Sequence, residues 1–529
     1  MNHHDIPRGP LAPGSETTGA QALVDVPVRP PDQSTAEPAK PAFRWLTAAA
    51  PAVVAGLVAG WLIPRGPVTT PEAVSALIAA VLVGAMTGWW LRSRWALILA
   101  PATFMVIFEL ARVRVDGPTV DGVRLDGIYG VMALVAGRGV DAVLVLLPMM
   151  VGASYGAALA RRRLLDGAKP DRQRGRRTVL GLATLAVMAL FLGLVRPAST
   201  APIVGTDAEP IAGSIAELVE VPIGGHDQAI MLRGVSREAP VLLYLEGGPG
   251  GTGIGRIRNS GTDLEQSFVV ATWDQRGTGK SFDALDPVST LTVDQMVADT
   301  LAVTNYLRER FSEEKIYLVG SSWGTTPGTL AVQRSPELFH AYVGTGQMVD
   351  QFETDTLMYA ESLADAEARG DAGSADALRA LGPPPYDNTL DYPIAISSNP
   401  KWMNFEHGAD YRATSEYPAS LFVAEYALIE GLRGMAAIAE TFDVLYPQLA
   451  DTDFRIDVPR LDVPVYIVEG SHEAAGRETL AAQWFQALSA PSKAYVSFER
   501  SGHTPPYDEP GRFADFMADV LRATGGAGS

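Results

Sequence analysis

The chain has 529 residues, 47% of them hydrophobic and 19% charged, with a net charge of −18 and no cysteine. Without cysteine there is no disulfide, no thiol nucleophile and no thiolate-ligated metal. The charge is divided, residues 1–199 summing to +7 and residues 200–529 to −25, and so acidic a back half lacks the basic face that nucleic-acid phosphates require.

Residues 1–42 mix prolines and scattered charges with no apolar period, as a disordered tail does. They lack the basic start, short apolar run and small-residue cleavage site of a signal peptide. Residues 43–196 carry five apolar stretches: Phe43–Ile63, Ala73–Leu91, Trp95–Leu110, Asp141–Leu159 and Val179–Val195. Each is near the ~20 residues a helix needs to cross ~30 Å of hydrocarbon, so the expected partner is a lipid bilayer. Glu109, ending the shortest stretch, is placed to pair with Arg112 one turn on. Gly56/Gly60 and Gly152/Gly156 have the spacing that seats close helix contacts, expected within this bundle. The patch Ile128–Val135 is too short to span and is expected to lie in the interface.

Basic residues concentrate in the tail, at Arg92–Arg94 and over Arg161–Arg177. The tendency of such loops to stay inside predicts a cytoplasmic amino terminus. Five crossings then place everything after Arg196 outside the cytoplasm.

Residues 200–529 change pattern, to short β-branched runs alternating with amphipathic helices. Glu217–Val221 and Ala229–Gly234 read as a hairpin turning through Gly224, Gly225 and Asp227. Val241–Leu245, Phe268–Trp273, Ile316–Val319, Ala341–Val343, Val465–Val468 and Ala494–Phe498 read as strands, with helices such as Thr292–Arg310, Gly324–Gln333, Thr479–Leu488 and Arg512–Leu521 between them. This alternation predicts a mostly parallel sheet with helices on both faces. Residues 347–460 break it and read as a helical cap inserted between two strands, where substrate choice can be made.

Three glycine motifs offer chemistry. Gly248-Pro-Gly-Gly-Thr-Gly253 imitates a dinucleotide fingerprint, but Pro249 removes an amide from the turn and no helix is expected behind it. Gly279-Lys280-Ser281 imitates the end of a phosphate loop, yet Asp274 stands where that motif requires glycine. No nucleotide, cofactor or metal is therefore expected. The third, Gly320-Ser-Ser322-Trp-Gly324, follows a strand and opens a helix, which is the context of a nucleophile elbow. The similar Gly152-Ala-Ser154-Tyr-Gly156 lies inside an apolar stretch and lacks it.

A serine nucleophile needs a base, and the base a carboxylate to orient it. In the elbow architecture these follow in the order serine, acid, histidine. His503, in a loop just past the Ala494–Phe498 strand, is the expected base. Glu473, beyond the Val465–Val468 strand, is the expected acid, with Glu469 second and Asp462 at the wrong end of the strand. His472 reads as a neighbour of the site, His226 and His340 as turn and strand positions. The oxyanion donors are expected from the amides of Trp323 and of Gly247 or Gly248.

Glu246-Gly-Gly-Pro-Gly250, Asp274-Gln-Arg-Gly-Thr-Gly-Lys-Ser281 and Gly320-Ser-Ser-Trp-Gly324 together resemble the α/β-hydrolase superfamily, specifically the proline iminopeptidase-like serine peptidases. The resemblance covers about residues 215–525 and leaves the apolar front half untouched. It implies an α/β-hydrolase fold, with residues 274–281 forming a structural turn near the oxyanion loop. It also implies recognition of a free amino terminus by acidic cap residues, for which Glu353, Asp355, Glu361, Asp365, Glu406, Glu425 and Glu430 are available. Glu246 stands in place of the family's histidine, Ser321 of a glycine and Glu473 of the usual aspartate. The expected protein is thus a multi-pass membrane serine hydrolase cleaving amino-terminal proline or small residues from short peptides. A carboxylesterase of similar fold, or a membrane sensor whose hydrolase domain only binds ligand, are the alternatives.

Overall fold

The computed structural model describes residues 41–125, 127–164, 174–403 and 405–525. The expected tail falls almost wholly outside the described residues, as does most of the basic connection before Arg174.

The front half is a helical bundle of α1 (Pro41–Leu62), α2 (Thr70–Leu91), α3 (Ala96–Ala111), α4 (Ile128–Arg163) and α5 (Arg174–Leu194). Four of these, all but the 16-residue α3, are long and apolar enough to cross a bilayer. The start of α2 is fixed by a capping box, in which the Thr69 hydroxyl accepts the Glu72 amide and Glu72 accepts that of Thr69. Both small-residue pairs seat contacts within the chain. A side-chain carbon on Gly152 or Gly156 would come 2.1 or 2.0 Å from the Val81 or Ala85 carbonyl of α2, so α2 and α4 touch backbone to backbone. Glu109 pairs with Arg112 at 2.5 Å and also with Arg138 at 3.0 Å.

One expectation is corrected here. Ile128–Val135 is not a separate interfacial patch but the first turns of α4, which runs unbroken for 36 residues. Gly137 and Gly139 do not end the helix. The backbone passes them through wide π-turns at Val135–Gly139 and Ala142–Leu146, as inserted turns permit. At about 1.5 Å per residue α4 measures about 54 Å, well beyond the ~30 Å of a hydrocarbon core.

The back half carries an eight-stranded sheet in the order β1-β2-β4-β3-β5-β6-β7-β8. Its strands are β1 (Ile215–Ile223), β2 (His226–Gly234), β3 (Val241–Leu245), β4 (Val269–Trp273), β5 (Ile316–Ser321), β6 (Phe339–Thr345), β7 (Val465–Gly470) and β8 (Lys493–Phe498). β1 and β2 form the expected hairpin and β2 is antiparallel to β4. The other neighbours are parallel. The central strands β3, β4 and β5 are buried along their whole length, which is why they read as continuous apolar runs rather than alternating ones. Cores fill both faces, one around Leu243, Leu318 and Trp484, the other around Leu242, Tyr317 and Phe513.

A helix does open behind the first glycine motif, α6 (Gly253–Ser260), contrary to expectation. Pro249 stops the turn from supplying a full set of amides, but it lies four residues ahead of the helix and does not prevent one. Between β6 and β7 the chain forms α7 (Gln351–Ala368), α8 (Ala372–Leu381), several short turns and α9 (Leu428–Leu445), the helical insertion expected there. The fold is that of an α/β hydrolase, with a mostly parallel sheet and an amino-terminal helical region.

Helix α9 joins the two halves. The Arg433 guanidinium is buried and donates to the carbonyls of Pro67 at 2.9 Å, Ala136 at 3.3 Å and Gly137 at 3.2 Å, and to Asp141 at 2.5 Å. Glu440, two turns further along the same face, binds Arg65 and Thr119. Ala136 and Gly137 sit in the first π-turn of α4, and their carbonyls accept the Arg433 guanidinium there.

Candidate active site

β5 delivers Ser322 to a turn that the following helix leaves at once. Ser322 has φ +50°, a left-handed conformation unfavourable for a residue with a side chain. The turn is held by its glycines, since a side-chain carbon on Gly320 would come 2.7 Å from the Gly324 carbonyl, and one on Gly324 2.2 Å from that of Leu245. The strain lifts the Ser322 hydroxyl off the sheet, where His503 Nε2 lies 2.8 Å from its Oγ. His503 Nδ1 lies 2.6 Å from Glu473 Oε2. The three residues come from the ends of β5, β7 and β8, brought together because those strands are parallel and end on one edge.

Glu473 is fully buried. Its Oε1 accepts the Ala474 amide at 2.8 Å and the Trp402 indole N–H at 3.0 Å. Burial alone would push this carboxyl up, but His503 opposite, the hydrogen bond between them and the nearby Arg477 together hold it below its ordinary value. Glu469, the second choice for the acid, instead accepts the Gln347 amide at 2.9 Å, and burial beside the Glu473 charge pushes its carboxyl well up. Asp462 pairs with Arg460 at 2.6 Å. His472 stacks on Phe405 beside the site, and His340 stacks on Tyr317.

The His503 loop is pinned from below. Gly502 donates to Asp508 Oδ2 at 3.0 Å, and the Arg500 amide and Ser501 hydroxyl both donate to Glu509 Oε1 at 2.9 Å. From above, Trp402 of the cap stacks on the imidazole, ring centroids 4.9 Å apart and planes 25° from parallel. Sequence reasoning missed Trp402, because no local pattern ties a cap tryptophan to a histidine 101 positions on.

Of the expected oxyanion donors, Gly247 lies against the nucleophile, a side-chain carbon there coming 3.1 Å from Ser322 Cβ. Its amide, however, already donates to Glu246 Oε1 at 2.9 Å. Gly248 and Trp323 are left, the latter in the first turn of a helix where amides lack intrahelical acceptors. Glu246, where the resembled family has histidine, is buried, paired with Arg256 at 3.2 Å and bonded to the Tyr507 hydroxyl.

Residues 274–281 form the turn expected of them. Asp274 accepts the Lys280 amide at 2.9 Å and the Tyr426 hydroxyl at 3.0 Å, and burial pushes its carboxyl up to about 7. Ser281 closes the turn on the Asp274 carbonyl at 2.7 Å. Gln275 does more: its Nε2 donates to the Glu246 carbonyl at 3.0 Å, and its Oε1 accepts the Trp323 indole N–H at 3.0 Å. One side chain thus ties the 246–250 loop to the residue after Ser322.

Most of the seven acidic cap residues are engaged. Glu353 binds Arg455 at 2.6 Å, Asp365 binds Arg369 at 2.6 Å, Glu425 binds Arg258 at 2.9 Å and Glu430 binds Lys280 at 2.9 Å. Glu361 accepts the Asn399 amide N–H at 2.8 Å, and Asp355, pushed up to about 6 by burial, accepts from the Tyr446 hydroxyl at 2.8 Å. Glu406 is exposed. It follows Phe405, whose ring packs on Gly502 next to His503.

Residues 240–510 match the family described as the alpha/beta hydrolase fold. A probable aminopeptidase of Bacillus subtilis (strain 168) is 31% identical over 317 residues, which is 59% of this chain and 98% of that protein. Among solved structures, a proline iminopeptidase-related protein of Thermus thermophilus is similar at 23% identity and a TM-score of 0.42, covering 59% of this chain and 98% of that one. The proline iminopeptidase of Mycobacterium smegmatis is similar at 19% identity and a TM-score of 0.42, covering 58% and 98%. The chain belongs to the alpha/beta hydrolase family.

Proposed function

We propose that this hydrolase is a membrane-anchored serine aminopeptidase of the proline iminopeptidase type, acting through Ser322, His503 and Glu473. The observation that carries the reading is the continuous hydrogen-bonded chain from Ser322 Oγ through His503 to Glu473, at 2.8 and 2.6 Å. His503 takes the hydroxyl proton as Ser322 attacks a carbonyl, and Glu473, ionised, stabilises the imidazolium that forms. The amides of Gly248 and Trp323 receive the developing oxyanion, each worth about 10²–10³ in rate. His503 then protonates the leaving amine, and water, activated by the same imidazole, releases the acyl group.

The peptide preference draws support from the curated relative's description as a probable aminopeptidase and from the motifs of residues 246–250, 274–281 and 320–324. Glu406, exposed beside the His503 loop, is the cap carboxylate we assign to the substrate's free amine. The four long apolar helices, with the 16-residue α3 taken as a short fifth crossing, and the basic residues of the tail, at Arg92–Arg94 and over Arg161–Arg177 support a multi-pass anchor with a cytoplasmic amino terminus and the hydrolase outside.

Two measurements test this. A fluorophosphonate probe labels the wild type and not Ser322→Ala; an unlabelled wild type overturns the serine mechanism. Proline and alanine arylamides are compared with p-nitrophenyl esters of graded chain length. Faster turnover of the arylamides supports the aminopeptidase, whereas a preference for esters assigns the site to a carboxylesterase.

A further inference from the structure

Within the helical bundle α1, α2, α3 and α4 enclose a cavity of about 540 Å³, inside the range of about 300–1,000 Å³ typical of small-molecule sites. Its walls are small and apolar, including Ala59 of α1, Ala76 of α2 and Phe104 of α3. It opens sideways past Val58 and Leu62, which are exposed. One end is polar. Asp141 lines it there, 8% exposed, and its Oδ2 has no hydrogen-bond partner among the described residues. Oδ1 is taken by Arg433. Buried carboxylate oxygens are seldom left without a hydrogen bond, and the nearest cation, Arg112, stands 3.6 Å off, so an apolar cavity ending on this oxygen suits a ligand with an apolar body and a donor head.

The surrounding charges narrow the head. Arg433 bonds Asp141, Arg112 Nη1 stands 3.6 Å from Oδ2, and Arg112 and Arg138 share Glu109. Glu72 also lines the cavity, its Oε2 taken by the amides of Val68 and Thr69, so three guanidinium groups face three carboxylates. A site already balanced in charge disfavours an ammonium head and a carboxylate head alike. A neutral hydroxyl suits it, donating to Asp141 and accepting from Arg112.

We propose that this cavity is a binding site for a single aliphatic chain ending in a neutral hydroxyl head, the chemistry of a long-chain alcohol or a monoacylglycerol. The site is independent of the hydrolase reading. A ligand there touches Asp141, which holds Arg433 and through it helix α9.

The test uses the full chain in nanodiscs and a 1-O-alkylglycerol bearing a diazirine in its alkyl chain, whose ether bond no hydrolase cleaves. Photolabelled positions are mapped by mass spectrometry. The expected result is label concentrated on residues 55–63, 71–80 and 104–108, displaced by excess 1-oleoylglycerol but not by methyl oleate or oleate. Ala76→Phe, which fills the cavity from one wall, lowers that label at least tenfold and leaves the lipid-facing label on Leu182 and Leu185 unchanged. Label spread equally over Leu182, Leu185 and the cavity walls overturns the proposal, as does undiminished label in Ala76→Phe. Equal displacement by methyl oleate removes the role given to Asp141 and overturns the head-group assignment. Equal labelling of the cavity by a two-chain diazirine phospholipid shows ordinary bilayer lipid there and overturns the single-chain site.

Discussion

Gln275 is the sharpest place to probe how the candidate oxyanion site is built. It is buried, and its two hydrogen bonds, both 3.0 Å, run to the Glu246 carbonyl on one side and the Trp323 indole on the other. Gln275→Met keeps the length and volume but removes both. Losing the bonds costs about 0.5–1.5 kcal/mol each, and the stranded buried indole N–H adds a penalty of about 1–3 kcal/mol. If that were all, the variant would melt lower and turn over normally. But the bonds hold the loop carrying Gly248 against the turn carrying Trp323, so their loss separates the two donors. A fully lost donor costs about 10²–10³ in rate, and a loosened pair is expected to lower kcat by about tenfold to a hundredfold. The KM for arylamides should change little, because the ground-state carbonyl makes little use of these amides. The assay is steady-state arylamide hydrolysis alongside the thermal midpoint. A kcat within twofold of wild type, with a lowered midpoint, refutes the reasoning and leaves Gln275 a structural tie only.

Four further outcomes are expected. Glu473→Gln keeps an acceptor for Trp402 and the Ala474 amide but cannot stabilise the imidazolium, so kcat should fall about 10⁴-fold; a fall under tenfold in the arylamide assay would move the acid elsewhere. Trp402→Phe preserves the stacking on His503 and loses one bond to the ionised Glu473, of about 1.5–3 kcal/mol, while the Ala474 amide and His503 still hold the carboxylate, so kcat should drop by at most about tenfold, read in the same assay. Glu406→Gln should raise KM for substrates with a free amino terminus and leave amino-blocked esters unaffected; equal effects on both would remove it from amine recognition. Asp274, whose carboxyl is raised to about 7 by burial, favours the neutral form when folded. Its contribution to stability is complete below its unfolded value of about 3.9 and is lost as pH rises through 7. The urea midpoint of wild type should therefore fall between about pH 4 and 7 relative to Asp274→Asn, whose own profile lacks this component.

What could be read from the chain beforehand follows from how local each signal is. The sheet strands were legible because parallel strands buried on both faces must be continuous apolar runs, as Val241–Leu245 and Ile316–Val319 are. Ser322 was legible because an elbow needs small residues on both sides, where a side-chain carbon on Gly320 or Gly324 would come within 3 Å of backbone. Glu473 and His503 followed from strand order. Trp402 and Gln275 were not legible as site residues. Their partners lie 71 and 48 positions away and meet them only once the cap is folded and the sheet assembled. The Gly247 amide illustrates a finer limit: its neighbour Glu246 turns back and occupies it, which depends on a rotamer fixed by Arg256 and Tyr507. The continuity of α4 was hidden for another reason. Gly137 and Gly139 look like helix breakers, yet a side-chain carbon on Gly137 would come 2.4 Å from the Thr119 carbonyl, so close packing rather than a break accounts for glycine there.

A hydrolase needing only to be held at a membrane would be served by one helix, so the bundle calls for a reason, and α9 supplies one. On one side of α9, Arg433 is inserted into the π-turn of α4 and Glu440 binds Arg65 and Thr119 of the helical half. On its other side, the Ile438 carbonyl lies where a side-chain carbon on Gly250 would approach to 2.8 Å, and the Thr441 hydroxyl donates to the Gly277 carbonyl at 2.8 Å. The same helix therefore backs the oxyanion loop and the 274–281 turn while its polar anchors are buried in the bundle. Removing one partner of a buried ion pair costs about 3–5 kcal/mol, so Arg433→Met should release α9 from α4 without touching a residue of the site. Two readouts separate the consequences: protease cutting within 197–214, which rises if the halves part, and kcat, which falls if α9 no longer supports Gly250 and Gly277. Faster cutting with unchanged kcat would make the bundle a mere anchor. A fall in both makes it a structural wall of the site, and the extra length of α4 is then what carries that wall from the bilayer to the enzyme.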